Sequence, residues 1–68
     1  MAQGRRGLSV RLKRLRADRG MTQEALARKA NVSLAYVSRL EIGMHDPKLS
    51  TLQKIANALG VPVSELLQ

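Results

Sequence analysis

No cysteine occurs among the 68 residues, which excludes disulfide staples and thiolate metal sites and leaves the redox compartment open while agreeing with the cytoplasm. Tryptophan and phenylalanine are also missing, so Tyr36 is the only aromatic among the three large ring types. Acids are few, five Asp and Glu in all, and His45 is the one histidine. Without a glycine-rich phosphate loop or a pair or triad of reactive groups at useful spacing, this inventory offers no catalytic residue, metal ligand set or cofactor site. No apolar stretch approaches a membrane span or the core of a signal peptide. Internal repeats, low-complexity tracts and interdomain linkers are absent too. One small domain is therefore expected, without a second domain to take a small-molecule ligand.

What the chain does have is basic charge and enough apolar residues for a modest core. Hydrophobic residues make up 44%, and 12 Lys and Arg leave a net charge of +7. The excess is uneven. Residues 1 to 19 carry Arg5, Arg6, Arg11, Lys13, Arg14, Arg16 and Arg19 against Asp18, whereas Arg28, Lys29 and Arg39 are balanced by Glu24, Glu41 and Asp46 in the middle. A field of that sign favours a polyanion, and nucleic acid is the commonest for a soluble domain of this size. A membrane surface is the competing polyanion. The first helical segment, with Leu8, Leu12 and Leu15 on one stripe, offers no large outward apolar face to insert.

Between Thr22 and Glu41 the pattern describes two short helices joined by a tight turn. Thr22 suits an N-cap, and Glu24 places negative charge in the first turn against the positive end of the helix dipole. Leu26, Ala27 and Ala30 follow at helical spacing. Asn31, which tolerates left-handed backbone, falls where the helix must stop. Val32 is expected to be a buried turn residue, and Ser33 can cap a second helix. On a helical wheel Val37, Leu40, Glu41 and Ser33 face the body, Leu34 lies at the boundary, and Ala35, Tyr36, Ser38 and Arg39 face outward. An acid-free face with a small Ala35, a ring at Tyr36 and the guanidinium fork of Arg39 suits a DNA major groove, where guanine presents two acceptors. Taken alone, it suits an ordinary solvated helix face as well.

The stretch from Leu8 to Leu67 resembles the Cro/repressor-type (XRE-like) helix-turn-helix family of bacterial and phage regulators. The matching residues are Thr22, Gln23, Glu24, Leu26 and Ala27 at the opening of the second helix, Ser38 to Glu41 at the end of the third, Gly43 and Pro47 after it, and Ala58 to Val61. Ile42 departs from the pattern, which usually has a polar residue there, often Asn. The resemblance implies an all-α, five-helix lambda-repressor-like domain that binds double-stranded DNA as a homodimeric repressor on a palindromic operator, located in the cytoplasm of a bacterium. The alternative is a protein-interaction module of the same fold, a coactivator-like bridge or the DNA-binding half of an antitoxin. By this resemblance Arg16 pairs with Glu41, and Gln23 contacts a phosphate.

The remaining expectations are local. Residues 1–7 contain two glycines and no apolar period, and are read as a flexible basic arm whose Arg5 and Arg6 enter a minor groove, touch phosphates or only add general attraction. The domain proper is residues 8–68. Its first helix runs from about Leu8 to Arg19 and stops at Gly20. A fourth helix carries Leu49, Leu52, Ile55, Ala56 and Leu59 and ends at Gly60. A fifth spans 63–67. Candidate base contacts are Ser33, Leu34, Ala35, Tyr36 and Arg39. Candidate phosphate contacts are Gln23, Ser38, Gly43, His45 and Lys48, the last beside the fourth helix's N-terminal amides. Leu66 and Leu67 are adjacent, so both cannot enter one small core, and they form the candidate dimer interface.

Overall fold

The computed structural model describes the backbone of residues 3–67 and the side chains of residues 7–67. Those residues form five helices and no strand: α1 (Gln3–Asp18), α2 (Gln23–Ala30), α3 (Leu34–Glu41), α4 (Leu49–Leu59) and α5 (Ser64–Leu67). Two of the starts are set by hydroxyl caps. Thr22 Oγ1 accepts the Ala25 N–H at 2.9 Å, and Ser33 Oγ accepts the Tyr36 N–H at 3.0 Å, each satisfying a donor that the first helical turn leaves over.

The first four helices end in the same way. A residue with left-handed backbone follows each one: Gly20, Asn31, Gly43 and Gly60, with φ of 64, 60, 77 and 72°. The next residue then donates its N–H back five positions, Met21 to Arg16, Val32 to Ala27, Met44 to Arg39 and Val61 to Ala56. This is the Schellman arrangement, which satisfies the last carbonyls and seats an apolar residue against the helix just completed. Met21, Val32 and Val61 pack against the core in this way. Met44 does not, and 62% of its surface is exposed. Val32, expected to be buried, is half-buried against the core.

The core is aliphatic. Leu8 and Leu12 of α1 meet Leu26, Ala27 and Ala30 of α2, Val37 and Leu40 of α3, Leu52, Ile55, Ala56 and Leu59 of α4, and Leu66 of α5. Helix α3 packs on α1 and α2, while α4 packs on α2 and α5. One flank of α3 is thereby left uncovered. At the far end of α1 the Arg19 guanidinium donates to the Leu59 carbonyl, tying α1 to the end of α4. None of the described helices is long and apolar enough to cross a membrane.

Three expectations are corrected. Helix α1 begins at Gln3 and not near Leu8, so the backbone of residues 3–7 is helical where an arm was expected. Extending an existing helix adds a hydrogen bond for each residue fixed, and Arg5 and Arg6 are good helix formers, which offsets the cost of Gly4 and Gly7. The side chains of Arg5 and Arg6, and residues 1–2, lie outside the described residues. Ser33 is exposed and does not face the body; as a cap it has extended backbone (φ −78°, ψ 155°), so the helical wheel does not apply to it. Leu66 is 1% exposed and belongs to the core, whereas Leu67 is 57% exposed. Of the candidate pair only Leu67 is available to a second subunit.

Candidate nucleic-acid interface

Helix α3 divides cleanly into two faces. Val37, Leu40 and Glu41 are buried, at 0, 1 and 3% exposure. Leu34, Ala35 and Arg39 are exposed, with Tyr36 and Ser38 half-buried at the flanks. The only acid on the helix is therefore the one turned inward. A carboxylate on the outer face would repel phosphate; buried, it must instead be paired.

Arg16 supplies that pairing. Its Nε donates to Glu41 Oε2 at 2.5 Å and its Nη2 to Glu41 Oε1 at 3.0 Å, a two-pronged guanidinium–carboxylate contact. The third prong, Nη1, donates to the Met21 carbonyl at 2.6 Å. Gln23 Nε2 adds a bond to Glu41 Oε1 at 2.9 Å. The carboxylate thus ties the last residue of α3 to α1 and to the first residue of α2, while Arg16 extends the junction to the α1–α2 turn. Burial alone pushes the Glu41 carboxyl up. The hydrogen bonds from Arg16 and Gln23, then the charges of Arg16 and Lys13, outweigh it and hold the group below the ordinary glutamate range. The hydrogen bond to Glu41 likewise raises Arg16, against a smaller opposing effect of burial.

The loop from α3 to α4 returns along the same helix. The Gly43 and Met44 N–H groups donate to the Leu40 and Arg39 carbonyls at 3.2 and 2.9 Å, and positive φ at Gly43 makes the reversal possible. The loop then carries His45 back to Tyr36, where the two rings lie 4.9 Å apart between centroids and 30° from coplanar. Both rings line an open groove of about 510 Å³ together with Val32, Ser33, Asp46, Pro47, Lys48 and Thr51. Lys48 occupies the N-cap position of α4 without a side-chain capping bond and is exposed, so an exposed basic residue stands at the end of α4 where helical amides lack intrahelical partners.

Not every expected contact is placed alike. Ser33 spends its hydroxyl as an acceptor on the Tyr36 amide, and the Gly43 amide is engaged by Leu40, so a phosphate cannot take that N–H in this conformation. Gln23 has one amide hydrogen on Glu41 and a second in reserve. Two associations were not anticipated, Gln23 with Glu41 and His45 with Tyr36. Each joins residues from different elements, beyond the reach of helical spacing. Among the described residues no three His, Cys, Asp or Glu side chains gather in a group that could hold a metal.

Two short helices joined by a three-residue reversal, the second presenting an acid-free outer face, define a helix-turn-helix domain. The chain belongs to the helix-turn-helix family of the Cro/repressor type: the family model matches residues 12–66. It is 44% identical over 57 residues to the immunity repressor protein of Bacillus phage phi105, covering 84% of this chain and 40% of that one. It is 41% identical over 61 residues to an HTH-type transcriptional regulator of Deinococcus deserti, covering 90% and 47%. The chain thus spans less than half the length of these two relatives. Among solved structures, a hypothetical transcription factor from Neisseria superposes with a TM-score of 0.93 at 35% identity, covering all of this chain and 79% of the other. A restriction-modification controller protein from Aeromonas hydrophila gives 0.86 at 33%, covering 88% and 91%.

Proposed function

We propose that this chain is the DNA-reading unit of a transcriptional repressor that acts as a homodimer on a palindromic operator in the bacterial cytoplasm. The observation that carries the reading is the inward burial of Glu41, which leaves Leu34, Ala35 and Arg39 as an exposed face without negative charge. Arg39 offers a fork that matches the O6 and N7 acceptors of guanine, and Leu34 offers apolar contact to a thymine methyl. Lys48, the amides at the start of α4, the second Gln23 amide hydrogen and Ser38 are the groups that would hold phosphates and set its register. The net charge of +7 supplies long-range attraction. The names of the similar proteins, repressors and regulators of transcription, agree with this reading. A single such helix covers only a few base pairs, and a two-fold pair presents two of them about 34 Å apart, one turn of the duplex.

The test is selection of bound sequences from a random DNA pool, for the unmodified protein and for Arg39→Ala. Enrichment of a two-fold site is expected. The variant should lose about 1–3 kcal/mol and relax its preference at one base per half-site. A protein that enriches no sequence yet co-purifies with a second protein is the interaction module instead.

A further inference from the structure

We infer that His45 is a positioning residue for sequence readout: it acts through Tyr36, whose ring it holds at the edge of the reading face. This rests on the DNA-reading function above and names a specificity determinant within it. Tyr36 sits one turn before Leu40 on α3, beside exposed Ala35, and its ring is half-buried. A tyrosine at such a flank has more than one staggered rotamer open to it, and only some would carry the hydroxyl toward a base edge. The His45 ring removes that freedom. It packs on Tyr36 with centroids 4.9 Å apart and a 30° tilt, within the range where aromatic pairs attract.

His45 can act as a wall because its own backbone is fixed. The preceding residues are pinned to α3 by the bonds from Gly43 to Leu40 and from Met44 to Arg39, and Pro47 fixes its own φ two positions later. The same bond anchors the carbonyl of Arg39, so the loop that steadies the Tyr36 ring is fastened to the backbone of the neighbouring reading residue. Direct phosphate binding by the imidazole is the less favoured role. Asp46 lines the same groove, and its carboxylate opposes an anion there.

Tyr36 is the only tyrosine, and there is no tryptophan or phenylalanine, so the near-ultraviolet circular dichroism of the intact chain reports on this ring alone. Three proteins are compared: unmodified, His45→Ala and His45→Phe. Removing the ring should collapse the tyrosine band while the far-ultraviolet spectrum stays unchanged and the chain keeps a cooperative melt, lowered by no more than about 10 °C. In binding selections the same variant should lose about two- to ten-fold in preference at one position per half-site, with unchanged affinity for non-specific duplex. His45→Phe, a ring without N–H donors, should restore both the band and the preference. A tyrosine band or a sequence preference unaffected by His45→Ala overturns the inference. So does a salt dependence of binding that drops by about one phosphate contact in both variants, because that identifies a charge contact. If the unmodified protein enriches no sequence, the DNA-reading function itself fails and this role falls with it, whereas failure of the positioning role alone leaves the enrichment intact.

Discussion

Glu41 and Arg16, 25 residues apart in the chain, meet through two parallel N–H to oxygen bonds at a point where the Glu41 side chain is 1% and the Arg16 side chain 17% exposed. The pair joins the end of α3 to α1. Its geometry matters more than its charge. A two-pronged contact fixes both direction and distance, so the C-terminal end of α3 cannot swing relative to α1.

Removing either partner should be costly, because the survivor is left desolvated. Glu41→Ala and Arg16→Ala are each expected to lower stability by about 2–4 kcal/mol. The double variant should fall well short of the sum, with a coupling of about 1–3 kcal/mol in a denaturant-based cycle. Additive losses would show that the two side chains act independently.

The same pair gives a pH dependence of definite sign. The folded Glu41 carboxyl lies below its ordinary value of 4.5, so folding favours the charged form. Its contribution is fully present above the ordinary glutamate range and is lost as pH falls from there through the lowered folded value. Glu41→Gln, which removes the titrating group, should flatten the acid limb of a stability curve measured by urea unfolding between neutral and acid pH. An acid limb as steep as that of the unmodified chain would assign the dependence to other carboxyls.

At the α2–α3 turn, Asn31 is the only non-glycine residue with positive φ among the described residues. Asn31→Ala should cost up to about 1 kcal/mol, because both residues carry a β-carbon but alanine lacks the short polar side chain that lets asparagine tolerate left-handed backbone. Asn31→Gly should change stability by no more than about 0.5 kcal/mol. Thermal melts of the two variants check the difference.

Adjacent leucines in α5 should behave oppositely. Leu66→Glu places a charge in the core and is expected to cost about 3 kcal/mol or more, enough to lose the cooperative melt of a domain this small. Leu67→Glu should preserve the fold and weaken self-association, read by sedimentation across a concentration series. If Leu67→Glu leaves association unchanged, Leu67 is not part of a dimer contact, and an unmodified chain that stays monomeric at every concentration overturns the proposed homodimer.

Much of this architecture is visible in the chain before any coordinates. Thr22, Ser33, Asn31 and Gly60 act locally, through their own backbone preferences or a side chain reaching three residues, so short-range reading finds them. The inward set Val37, Leu40 and Glu41 follows from helical period. What escapes is whatever depends on a neighbour distant in sequence. Nothing in α2 says that Gln23 will spend an amide hydrogen on Glu41, and nothing in the loop says that His45 will reach Tyr36. Leu66 and Leu67 differ by one helical step, and only the placement of α5 against α1 decides which is buried. The early start of α1 escapes for another reason: two glycines and no apolar period describe a loop and a helix extension equally well.

The two-faced partition of α3 bears on how such a domain diverges. Residues that the fold requires and residues that the proposed function assigns to the target share one helix without sharing a side chain. Substitutions at Leu34, Ala35 or Arg39 can therefore accumulate without disturbing Val37, Leu40 or the Glu41 junction. If those outward residues read DNA as proposed, a lineage carrying this scaffold can change its address on the genome one outward residue at a time, and each intermediate remains a folded protein.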